Sequence, residues 1–277
     1  MSQLVRQSVM SGLPRLRHEP TAKRIRAKLG EFTVVDSTRA VLVWEPRRVV
    51  PSWAVPVDDV AAALMPVGAA ARASDDVGAS LPSVSDRPVL DPSVPFAAHT
   101  ADGQAVDVVV GGHRVGQAGL RLADPDLADY VVLDFDRFDW LEEDEPNIGH
   151  PRDPFHRIDI VTSSRHVRLE RDGTVLAESS RPRLLFETLL PARWYLPRED
   201  VRVPLVASAK RTTCAYKGHA SYFSPVVGER EIPDLAWTYE HPLREANEVT
   251  GLIAFFNERV DVIVDGELDE RPITPWS

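Results

Sequence analysis

The sequence is poor in the residues that staple or clamp small folds. Cys214 is the single cysteine among 277 residues, so an intramolecular disulfide cannot form and a zinc site built from several thiolates is excluded. Hydrophobic packing has to hold the fold. No apolar run approaches the ~18 residues that span a bilayer, and residues 1–6 lack the apolar stretch and small-residue cleavage site of a signal peptide. These absences predict a cytoplasmic protein with no membrane partner. There is also no basic excess. Lys and Arg number 32 against 42 Asp and Glu, a formal charge of −10 with both halves of the chain acidic. Nucleic-acid binding needs concentrated Lys and Arg to displace phosphate counterions, and no block of the sequence offers them.

What is present is an ordinary globular composition, 43% hydrophobic and 27% charged. At roughly 150 residues per domain, the length suggests two domains. The 23 prolines punctuate short segments rich in Val, Ile, Leu, Thr and aromatics, which favours strands and turns over long helices. The chain therefore reads as mainly β. Alternating apolar and polar residues flank Asp172-Gly173, and Asp265-Gly266 repeats the device; both are tight hairpin signals. Short helices are predicted over 56–64 and 243–249, each near a proline. The acidic run 142–145 reads as a solvated connector rather than a metal site.

An internal repeat organises these segments. Trp53, Pro56, Asp58, Asp59 and Val60 line up at constant offset with Trp194, Pro197, Glu199, Asp200 and Val201. Further on, Leu120 to Pro125 matches Trp237 to Pro242, and Phe135 to Asp144 matches Asn257 to Gly266. Three blocks in one order predict two copies of one module: a first copy over 1–143 with a long loop at about 67–95, a connector over 144–154, and a second copy over 155–277.

The second copy carries Leu190-Pro191-Ala-Arg193-Trp-Tyr195-Leu-Pro197, then Thr213-Cys214-Ala-Tyr216-Lys217-Gly218-His-Ala-Ser-Tyr222, then Ala236-Trp237-Thr-Tyr239-Glu-His-Pro242. These strings resemble the family catalogued as domain of unknown function 427, in a tandem two-copy form whose first copy is degenerate. His150-Pro-Arg-Asp-Pro-Phe-His156-Arg resembles the junction of such proteins. The resemblance implies small twisted-sheet modules similar to the β-tent, or Mss4-like, architecture, with a few short helices. The Cys-x-x-Cys pairs of many β-tent proteins are missing, so no zinc and no other cofactor is expected.

Positions that differ between the copies are the candidates for a site. Arg193 and Tyr195 face Ser52 and Ala54, and the Cys214–Gly218 string faces a stretch around Val94 to His99 without thiol or ammonium. Two residues apart on a strand, Arg193 and Tyr195 share a face and can grip a carboxylate or phosphate; the alternative is an internal salt bridge from Arg193 to Glu187. Cys214 and Lys217 on a turn ended by Gly218 suggest a thiolate stabilised by an ammonium, against the alternative of a small buried hydrophobe. No histidine reads clearly as its base, although His219 and His241 lie nearby. Asp134 and Asp136 after an apolar strand could share a face as metal-dependent transfer chemistry requires, or form a solvated strand end. Trp237 and Tyr239 suit a pocket wall or the core equally.

The expectation is a small anionic molecule bound by Arg193, Tyr195, Lys217, Gly218, Tyr222, Trp237, Tyr239 and Glu187. The alternatives are an enzyme with Cys214 as nucleophile activated by Lys217, acting as hydrolase or transferase, and a non-catalytic interaction scaffold. The sequence leaves oligomeric state open.

Overall fold

The computed structural model describes residues 2, 4–70 and 72–277. Residues 1, 3 and 71, which belong to the N-terminal stretch and to the loop expected over 67–95, lie outside the described residues. The chain is mainly β with a few short helices, and it forms two compact units, Met1–Asp153 and Pro154–Ser277.

The first unit begins with the helix α1 (Val5–Met10) and continues through β1 (Arg17–Pro20), β2 (Ile25–Leu29), β3 (Phe32–Ser37), β4 (Val41–Trp44), β5 (Ser52–Pro56) and β6 (Ala63–Ala69). A long connection, irregular over the described residues 72–102, leads to β7 (Gly103–Val110), β8 (His113–Leu122), β9 (Tyr130–Leu133), β10 (Asp139–Glu142) and β11 (Glu145–Asn147). The second unit contains β12 (Ile158–Thr162), β13 (Val167–Arg171), β14 (Thr174–Ser179), β15 (Arg183–Glu187), β16 (Arg193–Leu196) and β17 (Leu205–Cys214). It ends with β18 (Gly218–Val227), β19 (Arg230–Glu231), β20 (Ala236–Thr238), β21 (Ile253–Phe255), β22 (Asp261–Val264) and β23 (Glu267–Leu268).

Each unit has one large and one small antiparallel sheet, and the strand orders agree. The large sheet of the first unit runs β1-β4-β5-β9-β8-β7-β6, and that of the second β12-β15-β16-β21-β20-β18-β17, with β19 added to β18. The small sheets, β11-β10-β2-β3 and β23-β22-β13-β14, correspond in the same way. Register agrees as well. In the first unit Val41, Ala54, Val132, Leu120 and Ala105 are opposite one another in a row across five strands. In the second the row is Arg183, Tyr195, Ala254, Trp237 and Tyr222.

Local chemistry accounts for the corners. Asp172 (φ 51°) with Gly173 (φ 75°), and Asp265 (φ 52°) with Gly266 (φ 88°), make the left-handed hairpin turns their residue types favour. The helix expected over 56–64 is limited to the single turn Val57–Asp59, matched by Arg198–Asp200. It stops because Ala61 N–H bonds to Val34 O and the chain enters β6 at Ala63, so sheet pairing takes the residues a longer helix would need. The following acidic residue is scaffold in both units. The Ser37 hydroxyl donates to Asp59 at 2.6 Å and the Ser179 hydroxyl to Asp200 at 2.7 Å, while Arg39 and Arg181 pair with those same aspartates. The segment expected as a helix over 243–249 is the 3-10 turn pair Arg244–Val249, broken at Ala246. The acidic run 142–145 is the β10–β11 hairpin, with Glu143 at φ 51° and Lys23 and Arg26 paired to Glu142 and Asp144.

The two faces of the large sheet are covered differently. In the first unit one face packs Leu42, Trp44, Trp53, Val55, Val131 and Leu133 with Ile25, Ala27, Val34 and Val35 of the small sheet. The opposite face gathers Val41, Val43, Ala54, Leu120 and Val132 with Ala101 from the 70–102 connection. The second unit has only Ala215, Tyr216 and Lys217 between β17 and β18 where the first has that connection, and its corresponding face carries large side chains instead. Leu185 is fully buried in this core. Leu185→Ala is expected to cost about 2–5 kcal/mol, seen as a lower urea midpoint at unchanged slope.

Candidate functional site

Glu187, the last residue of β15, lies buried beneath the turn that joins β17 to β18. Its carboxylate pairs with the buried Lys217 ammonium and accepts a hydrogen bond from His156 Nε2 at 3.2 Å. The His156 ring stacks on Tyr216, centroids 4.2 Å apart. Burial alone would raise the Glu187 carboxyl, but the Lys217 charge and the His156 hydrogen bond outweigh it and bring the pKa to about 2. Lys217 moves the opposite way: burial would lower its pKa, and the Glu187 charge raises it above the ordinary lysine value. Both groups are held ionised.

The turn itself needs Gly218. Its φ is +93°, in the left-handed region, and a Cβ there would meet Leu243 N at 3.3 Å. That Leu243 N–H donates to Lys217 O at 3.0 Å, tying the turn to the chain after β20. Cys214 pairs with Gly218 across the turn and is half-buried. Neither nearby histidine meets it as a base: His219 is exposed and hydrogen-bonded to Thr213 Oγ1 at 3.0 Å, and His241 is exposed.

Arg193 forms an internal ion pair, but Glu187 is not its partner. Its guanidinium binds Glu258 in bidentate fashion, both contacts at 2.7 Å. Thr274 Oγ1 donates to Glu258 Oε1 at 2.6 Å. Glu187 is already taken by Lys217 from the turn, whereas Glu258 follows β21, the strand hydrogen-bonded to β16. The guanidinium also lies 5.6–5.9 Å from the ring centroids of Trp237, Trp276 and Phe256. Burial would raise the Glu258 carboxyl, and Arg193 holds it below the usual range.

The aromatic residues link the two ion pairs. Trp237 Nε1–H donates to the Tyr195 hydroxyl at 3.1 Å, with the rings edge to face. Tyr195 is fully buried, and burial pushes its phenol up to about 12. Tyr239 is raised well above its ordinary value by the same cause, and Tyr222 is raised too. The Tyr222 and Thr212 hydroxyls share a hydrogen bond at 2.9 Å. Trp237 and Tyr239 both belong to the buried core cluster of this unit. All nine residues singled out in the second copy therefore lie on or directly beside β15, β16, β17, β18 and β20 of the large sheet.

Asp134 and Asp136 do not form a carboxylate pair. The chain turns through Phe135–Arg137 immediately after β9, which buries Asp134 and leaves Asp136 exposed. Among the described residues, no three His, Cys, Asp or Glu side chains converge as metal ligands. An open depression of about 360 Å³ lined by His166, Glu178, Arg181, Asp200 and Arg202 lies over the Ser179–Asp200 scaffold contact. Glu258, Thr274, Trp276 and His156 were not among the candidates. His156 stood in the junction string, and Glu258 lay in the third repeat block opposite Asp136, a signal that a comparison of the copies offered.

Residues 159–266 match the family described as Domain of unknown function (DUF427). The match covers most of the second unit and contains every candidate named from its motif strings. No curated protein matches the chain. No helix among the described residues is long and apolar enough to cross a membrane.

Removing one partner of a buried ion pair leaves the other charge stranded. Lys217→Met is expected to destabilise by ~3–5 kcal/mol, and Glu187→Leu with Lys217→Met to recover most of that loss; urea unfolding of the three variants measures it. In the wild-type protein the Glu187 contribution is complete above pH ~4.5 and falls away as the pH drops toward 2, since its folded pKa is lowered.

Proposed function

We propose that the two units are tandem copies of a β-tent-like module in a cytoplasmic protein, and that the second binds a small molecule at the Arg193–Tyr195–Trp237–Lys217 cluster. The observation that carries this reading is the exchange of side chains between corresponding positions. Where the first unit has Ser52, Ala54, Ala105 and Leu120, the second has Arg193, Tyr195, Tyr222 and Trp237. Small and aliphatic residues satisfy the fold at these positions. Buried charged and phenolic groups are a poor investment for stability alone, because their desolvation offsets much of their attraction.

An anionic ligand suits the chemistry. A guanidinium binds carboxylate and phosphate with the same two-pronged geometry, so such a group can exchange with Glu258 on Arg193. Lys217, Tyr195 and Gly218 would border it, with Tyr222, Tyr239 and Glu187 fixing their orientation. A second reading makes Cys214 a nucleophile. It rests on the half-buried thiol standing at the turn that also carries Lys217, opposite Gly218.

The test joins a thermal-shift screen of small carboxylates and phosphates with the rate of Cys214 alkylation by iodoacetamide against pH. Binding predicts a raised Tm for at least one class and its loss in Arg193→Gln. Alkylation of the folded protein with an apparent pKa well below ~8.5, lost in Lys217→Met, would promote the nucleophile reading. No Tm shift together with alkylation only on denaturation would sink both.

A further inference from the structure

Glu45 lies four residues beyond Val41 in the first unit's cross-strand row, as Glu187 lies four beyond Arg183 in the second. Both carboxylates are buried, and two residues after each the backbone adopts a positive φ, 66° at Arg47 and 69° at Leu189. Each is neutralised from the corresponding connection. In the second unit the cation is Lys217 on the short β17–β18 turn; in the first it is His99, from the long β6–β7 connection. His99 Nδ1 donates to Glu45 Oε1 at 2.8 Å, and its Nε2 lies 3.2 Å from Asp134 Oδ1.

Glu45 also grips the backbone of that connection. Its Oε2 accepts from Thr100 N–H at 2.6 Å and Ala101 N–H at 2.9 Å, and Thr100 Oγ1 donates to Pro46 O at 2.6 Å. The buried Arg48 guanidinium reaches the carbonyls of Val94, Pro95 and Ala98 at 2.9–3.3 Å. Beneath this segment lie Val43, Ala54, Leu120 and Val132, packed with Ala101. Asp134 has no well-aligned hydrogen bond on either oxygen, so its charge is balanced by the ion contact to His99 and the field of Arg48.

We infer that residues 97–101, beyond the Phe96 side chain that is anchored in the other core against Phe135, form a pH-released cover over this face of the first unit, held closed by the His99 imidazolium between Glu45 and Asp134. The groups facing His99 are Glu45 after β4 and Asp134 after β9. Arg48 bears on both carboxylates, and Asp91 and Asp136 act on Arg48. With His99 neutral, one buried cation remains against two buried carboxylates. Burial would lower the His99 pKa, but Asp134 and Glu45 outweigh it and raise it to about 9. The sign follows from the raised value: the His99 contribution is complete below pH ~6.5 and is lost as the pH rises through 9.

The test is amide hydrogen exchange of the full chain, corrected for intrinsic base catalysis, with NMR titration of ¹⁵N-labelled histidine. The cover predicts that His99 titrates near 9. Protection of Thr100 and Ala101 then falls at least tenfold between pH 7.5 and 9.5, while the β8 and β9 amides stay protected. His99→Gln, which keeps a donor for Glu45 but cannot titrate, flattens the pH dependence. A wild-type His99 pKa near 6.5, protection unchanged as His99 titrates, or equal loss across β8 and β9 would each overturn the inference, whether or not the variant folds.

Discussion

A carboxylate almost wholly withdrawn from water sets a requirement that each unit must meet from elsewhere in its chain. Glu45 and Glu187 occupy corresponding places at the ends of β4 and β15, each the second strand from one edge of its large sheet. An ionised carboxylate left alone there would be strongly disfavoured, so the connection between two later strands has to return with a cation. Topology is thereby coupled to charge. The strand order can close only when residues far apart in sequence, Glu45 with His99 or Glu187 with Lys217, arrive together. Hydrophobic burial supplies the bulk of the stability, and the ion pair determines which arrangement of the connection is compatible with it.

The two units satisfy that requirement by different distributions of volume. The first uses small and aliphatic residues on the face below the cation and brings in a long connection to cover them. The second uses a short turn and fills the same face with tyrosine, tryptophan and arginine. Its polar groups then need internal partners, which Trp237 to Tyr195 and Glu258 to Arg193 provide. What distinguishes the units is therefore side-chain chemistry imposed on a common order and register of strands.

Much of the strand content was legible because alternation and Asp-Gly turns are local properties. The repeat blocks carried more, since Trp53 with Trp194 and Leu120 with Trp237 hold corresponding positions in the two sheets. Helical signals were less reliable. Pro56 with two following acidic residues initiates one turn, but the demand for sheet pairing at Ala61 and Ala63 overrides the local preference. At the site, the residue types were visible and their pairing was not. Strand alternation placed Arg193 and Tyr195 on one face, yet it carries no information on which carboxylate reaches a guanidinium. Glu258 and Thr274 come from segments far along the chain, and their approach depends on how β21 and the final residues pass Arg193.

The matched volumes also mean that the connection over 70–102 is not an independent part. Inserted in place of the three residues between β17 and β18, it would descend onto Tyr195, Tyr222 and Trp237 rather than onto Ala54, Ala105 and Leu120, and overpacking of this kind disrupts a core as surely as a cavity does. The reverse graft, a short turn in the first unit, would uncover an aliphatic face with no side chains large enough to close it. Each connection and the row beneath it can change only together, so the asymmetry between the units resists removal by any single deletion or substitution.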